Sequence, residues 1–148
     1  MSHNNHYVGA TSEFLVAAYL SSLGNDVFFP NTPSRADLIY TPFGGNAVRA
    51  QVKTTTRSRT GPFTYEQCRL IRKNGGKPYE VGEVDEVYVI GTHLWMFPIS
   101  VVAGKSSLCL LGDGPRHGGY TKGYKADDFI ILRGEWDRPI RDIMCHPA

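Results

Sequence analysis

Cysteines are few in the 148-residue sequence, and the three present, Cys68, Cys109 and Cys145, lie far apart without a CxxC pair. A scattered, odd set of cysteines argues against a disulfide framework and against a structural zinc site. Such usage is typical of proteins in a reducing compartment. We therefore expect a cytoplasmic protein.

Long apolar runs are also absent. No stretch approaches the roughly 18 apolar residues that a membrane-spanning helix requires, and the beginning of the chain lacks the pattern of a signal peptide. We therefore expect no membrane partner.

Two glycine-containing segments lack the spacing of nucleotide-binding loops. Gly104-Lys105-Ser106 ends like a phosphate-binding loop, but Ile99 stands where that motif needs its first glycine. The segment Gly112–Gly123 contains five glycines but no GxGxxG. We interpret this segment as a long flexible loop, from which Arg116 and Lys122 can reach the phosphates of a nucleic acid.

The overall composition is that of an ordinary globular protein, with 41% hydrophobic and 20% charged residues. A chain of this length is expected to form one domain with a substantial core. We assign residues 1–148 to a single domain, with its core at about 9–100 and a C-terminal extension at 101–148.

Positive charge is concentrated in one part of the chain, although the whole sequence has a net charge of only +2. Between Arg49 and Lys77 there are eight Lys or Arg residues and one acid, Glu66, which gives a local net charge of +7. Such a segment suits binding to the phosphates of a nucleic acid. A solvated basic surface without a ligand is the alternative.

The most informative stretch runs from Ala36 to Thr56, which reads as two short strands joined by a turn containing Pro42, Gly44 and Gly45. The second strand alternates strictly. Val48, Ala50 and Val52 fall on one face and Arg49, Gln51 and Lys53 on the other, because strand side chains have a period of two. One face can therefore pack on a core, while the other carries an amide and two cations close to Asp37.

A helix precedes this stretch. We predict that it begins at Thr11 or Ser12 as N-cap and ends near Leu23, before Gly24. Its inward stripe would contain Val16, Ala17, Leu20 and Leu23. Glu13 lies at the edge of that stripe, where it could simply complement the helix dipole.

The spacing of Asp37, Gln51 and Lys53 resembles the motif of the PD-(D/E)xK nuclease superfamily. In that motif an Asp at the start of one strand is followed, across a hairpin, by an acid or glutamine two residues before a lysine. Here thirteen residues separate Asp37 from Gln51. Ala36 replaces the usual proline, and Gln51 replaces the usual acid. The glutamine form followed by a threonine run is most similar to the small intron-associated homing endonucleases of bacteria.

The resemblance implies a restriction-endonuclease-like α/β (α+β) fold, with a mixed central sheet flanked by helices. It implies catalytic roles for Glu13, Asp37, Gln51 and Lys53, and a metal site formed by Asp37, Gln51 and Glu13. The expected cofactor is Mg²⁺, for which Mn²⁺ can substitute, because hard cations prefer oxygen ligands. Residues expected to contact DNA are Arg35, Arg49, Thr54, Thr55, Arg57, Arg59, Arg72, Lys73, Arg116 and Lys122.

Three functions are compatible with these features. The first is a metal-dependent homing-type endonuclease that cuts double-stranded DNA, encoded by a bacterium or phage. The second is a Holliday-junction resolvase or another structure-specific nuclease acting on branched DNA. The third is an inactive nucleic-acid-binding module on a nuclease core, which the neutral Gln51 keeps open. Because one such site cuts one strand at a time, we expect a homodimer or a dimer of dimers.

Outside this core the predicted elements are shorter. We expect strands at Asp26–Asn31, Val84–Gly91, Leu94–Ser100 and Phe129–Leu132, and a short helix at Phe63–Lys73. Ser107–Leu111 is a short apolar run. The Val84–Gly91 and Leu94–Ser100 strands should form a hairpin across Thr92 and His93.

Overall fold

The computed structural model of the protein describes residues 2–71, 76–112 and 124–134. Its elements in chain order are α1 (Ser2–Ser22), β1 (Asp26–Phe28), β2 (Leu38–Thr41), β3 (Val48–Thr54), β4 (Thr56–Thr60), β5 (Phe63–Arg69), β6 (Glu86–Ile90), β7 (Leu94–Pro98), α2 (Ile99–Val102), β8 (Ser107–Gly112), a 3-10 helix (Ala126–Phe129) and β9 (Ile130–Leu132).

The central sheet has six strands in the order β1-β2-β3-β6-β7-β9. The pairing of β3 with β6 is parallel, and the other pairs are antiparallel. A second, antiparallel sheet has the order β4-β5-β8. The expected fold class is therefore confirmed, since the chain is a mixed α+β domain whose first helix is followed by the strands that contain the predicted site.

Helix α1 covers one face of the central sheet. Its buried Val16 and Leu20 belong to a cluster that includes Ala50 and Val52 of β3, which confirms the apolar face predicted for that strand. Leu23 is an exception, because it lies beyond the helix end and is 62% exposed. Neither of the helices described here has the length and apolar character needed to cross a bilayer.

The predicted start of α1 is wrong, because the helix begins at Ser2 rather than near Ser12. Gly9 is tolerated inside it at a cost of roughly 1 kcal/mol, and no proline interrupts the segment. Ser12 is buried and its hydroxyl lies 3.0 Å from Thr54 Oγ1, so this side chain joins α1 to β3 instead of capping the helix. The predicted end is confirmed by Gly24, whose φ of 88° terminates the helix.

The other face of the central sheet is covered by the β4-β5-β8 sheet, not by a second long helix. Trp95 and Phe97 of β7 form a core there with Cys68 of β5 and Leu108 and Leu110 of β8. Burial raises the pKa of the Cys68 thiol to about 12, which keeps it protonated in this core.

The helix predicted at Phe63–Lys73 is therefore wrong for the part that the structure describes, where β5 pairs with β4. The ladder between β5 and β8 shifts register between Glu66 and Gln67, because Leu110 of β8 is an extra residue between their partners Leu111 and Cys109. The bulge therefore lies on β8, and the pairing of β5 with β4 is uninterrupted. Tyr65, Glu66 and Cys68 of β5 are all buried, so the burial departs from a period of two and its spacing resembles that of a helix. Residues 72–75 lie outside the described ranges.

The remaining predicted strands are found with shorter bounds. The Asp26–Asn31 strand ends at Phe28, and the Phe129–Leu132 strand begins at Ile130. The β6–β7 hairpin turns at the predicted position, with Ile90 opposite Leu94. The glycine-rich loop at residues 113–123 and the tail at 135–148 lie outside the described residues.

A buried acid joins the two sheets where β3 ends and β4 begins. Glu66 Oε1 accepts hydrogen bonds from Thr55 Oγ1 and from the Thr92 backbone N–H, both at 2.8 Å. Gly91 passes so close that a Cβ there would lie 2.1 Å from Glu66 Oε1 and 2.5 Å from Thr55 Oγ1. The single acid of the basic segment thus fixes the corner from which the β4–β5 hairpin projects.

We predict that Gly91→Ala destabilises the protein by roughly 1–3 kcal/mol, because the added methyl group overpacks this corner. Gly9→Ala is the matched control, since a Cβ at Gly9 meets no atom within 4 Å and alanine is the better helix former. Urea unfolding of both variants checks this. Equal stability of Gly91→Ala and the wild type would contradict the packing described for the corner.

Candidate active site

The β2–β3 hairpin fixes Asp37 at the point where the two strands meet. Its backbone N–H donates to Ala50 O at 2.9 Å, which extends the ladder by one residue beyond β2. Its carboxylate Oδ2 accepts the Val52 backbone N–H at 2.9 Å and a hydrogen bond from Gln51 Nε2. Asp37 is therefore held by two hydrogen bonds to the main chain of β3.

Gln51 and Lys53 project on the same face of β3, two residues apart, as the alternation predicted. Together with Asp37 they line an open cavity of about 510 Å³. The full lining consists of Pro33, Ser34, Arg35, Asp37, Gln51, Lys53, Leu70, Gly76, Lys77 and Tyr79. The structure thus brings three of the four predicted catalytic residues into one cavity.

Two cations of the cavity lie against the same aromatic ring. Arg35 Cζ is 4.1 Å and Lys53 Nζ is 5.6 Å from the centroid of Tyr79. Arg35 Nη2 also donates to Lys77 O at 3.0 Å and lies 3.9 Å from Glu83 Oε2. Sequence reasoning missed Tyr79, Lys77 and Leu70, which belong to a connecting segment without a periodic pattern.

Glu13, the fourth predicted catalytic residue, does not line the cavity but interacts electrostatically with it. Burial, and then the negative charge of Asp37, raises the pKa of Glu13 above its ordinary value. Helix α1 therefore places a second carboxyl group close enough to Asp37 for the two charges to oppose each other. A bound cation would relieve that repulsion.

The donor set of Asp37, Gln51 and Glu13 fits a hard divalent cation. It consists of carboxylate and amide groups, whose oxygens are the ligands that Mg²⁺ prefers. The Gln51 amide nitrogen now faces the Asp37 carboxylate. Rotation of the amide group by 180° would place its oxygen there instead, as a metal ligand. No group of three or more His, Cys, Asp or Glu residues suited to a metal occurs in the described part of the chain. A cation bound at this donor set would take its remaining ligands from water and substrate oxygens.

Arg49 is engaged away from the cavity. Its guanidinium forms two hydrogen bonds of 3.1 Å with the Asp85 carboxylate, and Nη1 donates to Gly82 O at 2.6 Å. These bonds raise the pKa of Arg49 and lower that of Asp85. The partner of Arg49 is thus Asp85, and its predicted contact with DNA stays a prediction.

The other residues predicted to contact DNA differ in their surroundings. The hydroxyls of Thr54 and Thr55 interact with Ser12 and Glu66 inside the protein. Arg57 and Arg59 are exposed on β4, and Arg57 Nη2 donates to Thr92 Oγ1 at 3.1 Å. Four of the predicted residues lie outside the described ranges, namely Arg72, Lys73, Arg116 and Lys122.

Comparison with known proteins yields one relative and one structural neighbour of note. Protein 5.3 of Escherichia phage T7 is 33% identical over 110 residues, which are 73% of this chain and 92% of that protein. The structure of a bacterial homing endonuclease, I-Ssp6803I, is similar with a TM-score of 0.58 and 17% identity, over 93% of this chain and 91% of that one. No protein-family model matches. At that identity the structural likeness shows the fold alone, which is similar to that of the homing endonuclease.

The raised pKa of Glu13 predicts a pH-dependent gain in stability for Glu13→Gln in metal-free protein. A carboxyl group with a higher pKa in the folded state loses stabilisation as pH rises from its unfolded pKa, about 4.3 for Glu, through its folded pKa. The variant should therefore melt at a higher temperature than the wild type at pH 7 but not at pH 3.5. The exposed Glu80 provides the matched Glu→Gln control. The melting temperatures are measured in EDTA. Equal values for Glu13→Gln and the wild type at pH 7 would contradict the electrostatic coupling of Glu13 to Asp37.

Proposed function

We propose that this chain, which belongs to the family of protein 5.3 of Escherichia phage T7, is a metal-dependent DNA endonuclease of the PD-(D/E)xK superfamily. The observation that carries the proposal is the convergence of Asp37, Gln51 and Lys53 in one open cavity. The likeness to the fold of a bacterial homing endonuclease supports the homing type. In this proposal the protein acts in the cytoplasm of a bacterial host.

Asp37, Gln51 and Glu13 would hold Mg²⁺ or Mn²⁺. Such a cation, when bound, polarises the phosphate and lowers the pKa of a bound water. Asp37 supplies the central ligand because its position is fixed by the main chain of β3. Gln51 supplies an amide oxygen without adding charge, so metal affinity depends more on the DNA phosphate and on Glu13.

Lys53 acts on the reacting groups directly. Its ammonium group enters the cavity from the face of β3 that carries Gln51. There it can orient the attacking water and stabilise the negative charge that develops on the phosphate oxygens. It has no hydrogen-bond or ion-pair partner among the described residues, which leaves its positive charge for the substrate.

The basic β4–β5 hairpin supports double-stranded DNA as the substrate. Arg57 and Arg59 are exposed on β4, which continues from the catalytic strand through Thr55. The Glu66 corner sets the direction of this hairpin relative to Gln51 and Lys53. Phosphates bound by the hairpin would therefore lie at a defined distance from the cavity.

A structure-specific nuclease that cuts branched DNA is the second candidate, because the same small core would serve both functions. An inactive nucleic-acid-binding module is the third candidate, because the neutral Gln51 replaces the usual acid of the motif. A homodimer or a dimer of dimers stays our prediction for the active form, because a chain with one cavity of this kind needs a second copy to cut both strands from one binding pose.

We predict that Lys53→Ala or Asp37→Ala lowers Mg²⁺-dependent cleavage of supercoiled plasmid by at least about 100-fold, the size expected for loss of an acid–base or charge-stabilising group. Lys105→Ala is the matched control, because Lys105 also contacts an aromatic ring but does not line the cavity. Its Nζ lies 5.8 Å from the centroid of Tyr124. Gln51→Glu should alter the metal dependence, since it adds a charge beside the cation.

The same assay separates the three candidates when a four-way junction and a chelator are included. Cleavage of duplex plasmid with Mg²⁺ supports the homing type, whereas cleavage confined to junctions supports a resolvase. A wild-type protein that binds DNA but cuts neither substrate would be an inactive module. Full activity of both Lys53→Ala and Asp37→Ala would remove the proposed site.

We predict that Arg57→Ala combined with Arg59→Ala weakens duplex binding and reduces its salt dependence. Each lost phosphate contact lowers the slope of log affinity against log salt by roughly 0.9, so the pair lowers it by up to about 1.8. The exposed Arg133, next to β9 at the far edge of the central sheet, is the control. An unchanged slope, measured by fluorescence anisotropy, would mean that β4 faces away from the DNA.

A further inference from the structure

Tyr79 is a fixed part of the cavity wall. Its side chain is 4% exposed and belongs to the core cluster between the two sheets. Its backbone oxygen accepts the Gly104 N–H at 2.9 Å. Side chains packed in this way keep one orientation, so the ring forms a rigid surface in the cavity.

Two cations meet this surface. The distances from the ring centroid, 4.1 Å for Arg35 Cζ and 5.6 Å for Lys53 Nζ, are both within the cation–π range of roughly 6 Å. An aromatic ring attracts cations through its quadrupole, without carrying a neutralising charge. The ring therefore positions Arg35 and Lys53 without neutralising either charge. The contact of Arg35 Nη2 with Glu83 Oε2 is long, at 3.9 Å, and partly exposed, so solvent screens it.

Both cations also have unused donors. Of the Arg35 guanidinium, Nη2 donates to Lys77 O, whereas Nη1 meets no acceptor among the described residues. Arg35 Nε is buried and likewise without an acceptor there. The ammonium group of Lys53 makes no hydrogen bond to the described residues either. Two positive charges that share one cavity, and of which several N–H donors have no acceptor among the described residues, indicate a site for an anion.

We propose that Arg35 and Lys53 form a two-cation clamp on the scissile phosphate, and that Tyr79 is its positioning residue. The planar guanidinium offers donors in a fixed fork that matches phosphate oxygens, while the ammonium group acts as a point charge. Arg35 thereby gains a role in the reaction beyond general contact with DNA. This inference rests on the proposed function, because the anion is taken to be a phosphate of the DNA backbone.

The test compares Tyr79→Leu, which removes the ring, with Tyr79→Phe, which removes only the hydroxyl. Tyr79→Leu is expected to lower the single-turnover cleavage rate at saturating DNA about tenfold, and Tyr79→Phe to stay within about twofold of the wild type. Thermal melts show whether each variant folds. A Tyr79→Leu variant that folds and cleaves at the wild-type rate overturns the proposal.

Arg35→Gln tests the clamp without touching the core. It should lower the single-turnover cleavage rate about as much as Tyr79→Leu does. The double variant should lose little more, because both changes disable the same clamp. Fully additive losses in the double variant overturn the positioning role of Tyr79.

A phosphate titration keeps the clamp testable if the wild type fails to cleave DNA. Inorganic phosphate is added while NMR follows the side-chain signals of Arg35 and Lys53. Saturable shifts of both signals in the wild type and in Tyr79→Phe, but not in Tyr79→Leu, support the clamp even if the nuclease proposal has failed. Absence of saturable shifts in the wild type overturns the clamp, whatever the cleavage assay shows.

Discussion

The hydrogen bond from the Val52 backbone N–H to Asp37 Oδ2 joins the two strands on which the candidate site depends. It fixes the carboxylate beside Gln51, whose side chain donates to the same oxygen. Because strand side chains alternate, a slip of one residue in the β2–β3 register would turn Gln51 and Lys53 toward α1 and bring Val52 into the cavity. The burial of Ala50 and Val52 against α1 opposes that slip. Packing on one face of β3 thus determines which side chains the other face presents to the cavity.

The position of β3 also determines where the following segment lies, because β3 pairs with β6 in parallel. A parallel pair needs a crossover connection, and here residues 55–85 supply it. This crossover contains the basic β4–β5 hairpin, the buried Glu66 and the Tyr79 ring. The hairpin proposed to bind DNA and the wall of the cavity therefore belong to one connection, which begins at the end of β3 and leads to β6, the strand paired with β3.

Much of the site was predictable from the sequence because it depends on local rules. The alternation along β3 and the turn at Pro42–Gly45 were sufficient to bring Asp37, Gln51 and Lys53 together. The β4–β5 hairpin was not predictable in the same way, because both faces of β5 are partly buried and the burial of Tyr65, Glu66 and Cys68 has a helix-like spacing. Tyr79 enters the cavity through contacts between segments distant in sequence, and no local pattern encodes these. The early start of α1 was missed because Ser12 serves a tertiary contact with Thr54 where a cap was expected.

The central claim is that Asp37, Gln51 and Glu13 hold one divalent cation within reach of Lys53. Paramagnetic broadening by Mn²⁺ tests it directly, since NMR signals weaken steeply with proximity to the ion. Substoichiometric Mn²⁺ is predicted to broaden the signals of Asp37 and Gln51 first and those of Glu13 and Lys53 next, and excess Mg²⁺ should reverse the effect. Broadening centred elsewhere on the protein, or no selective broadening with the DNA substrate bound, would contradict the account.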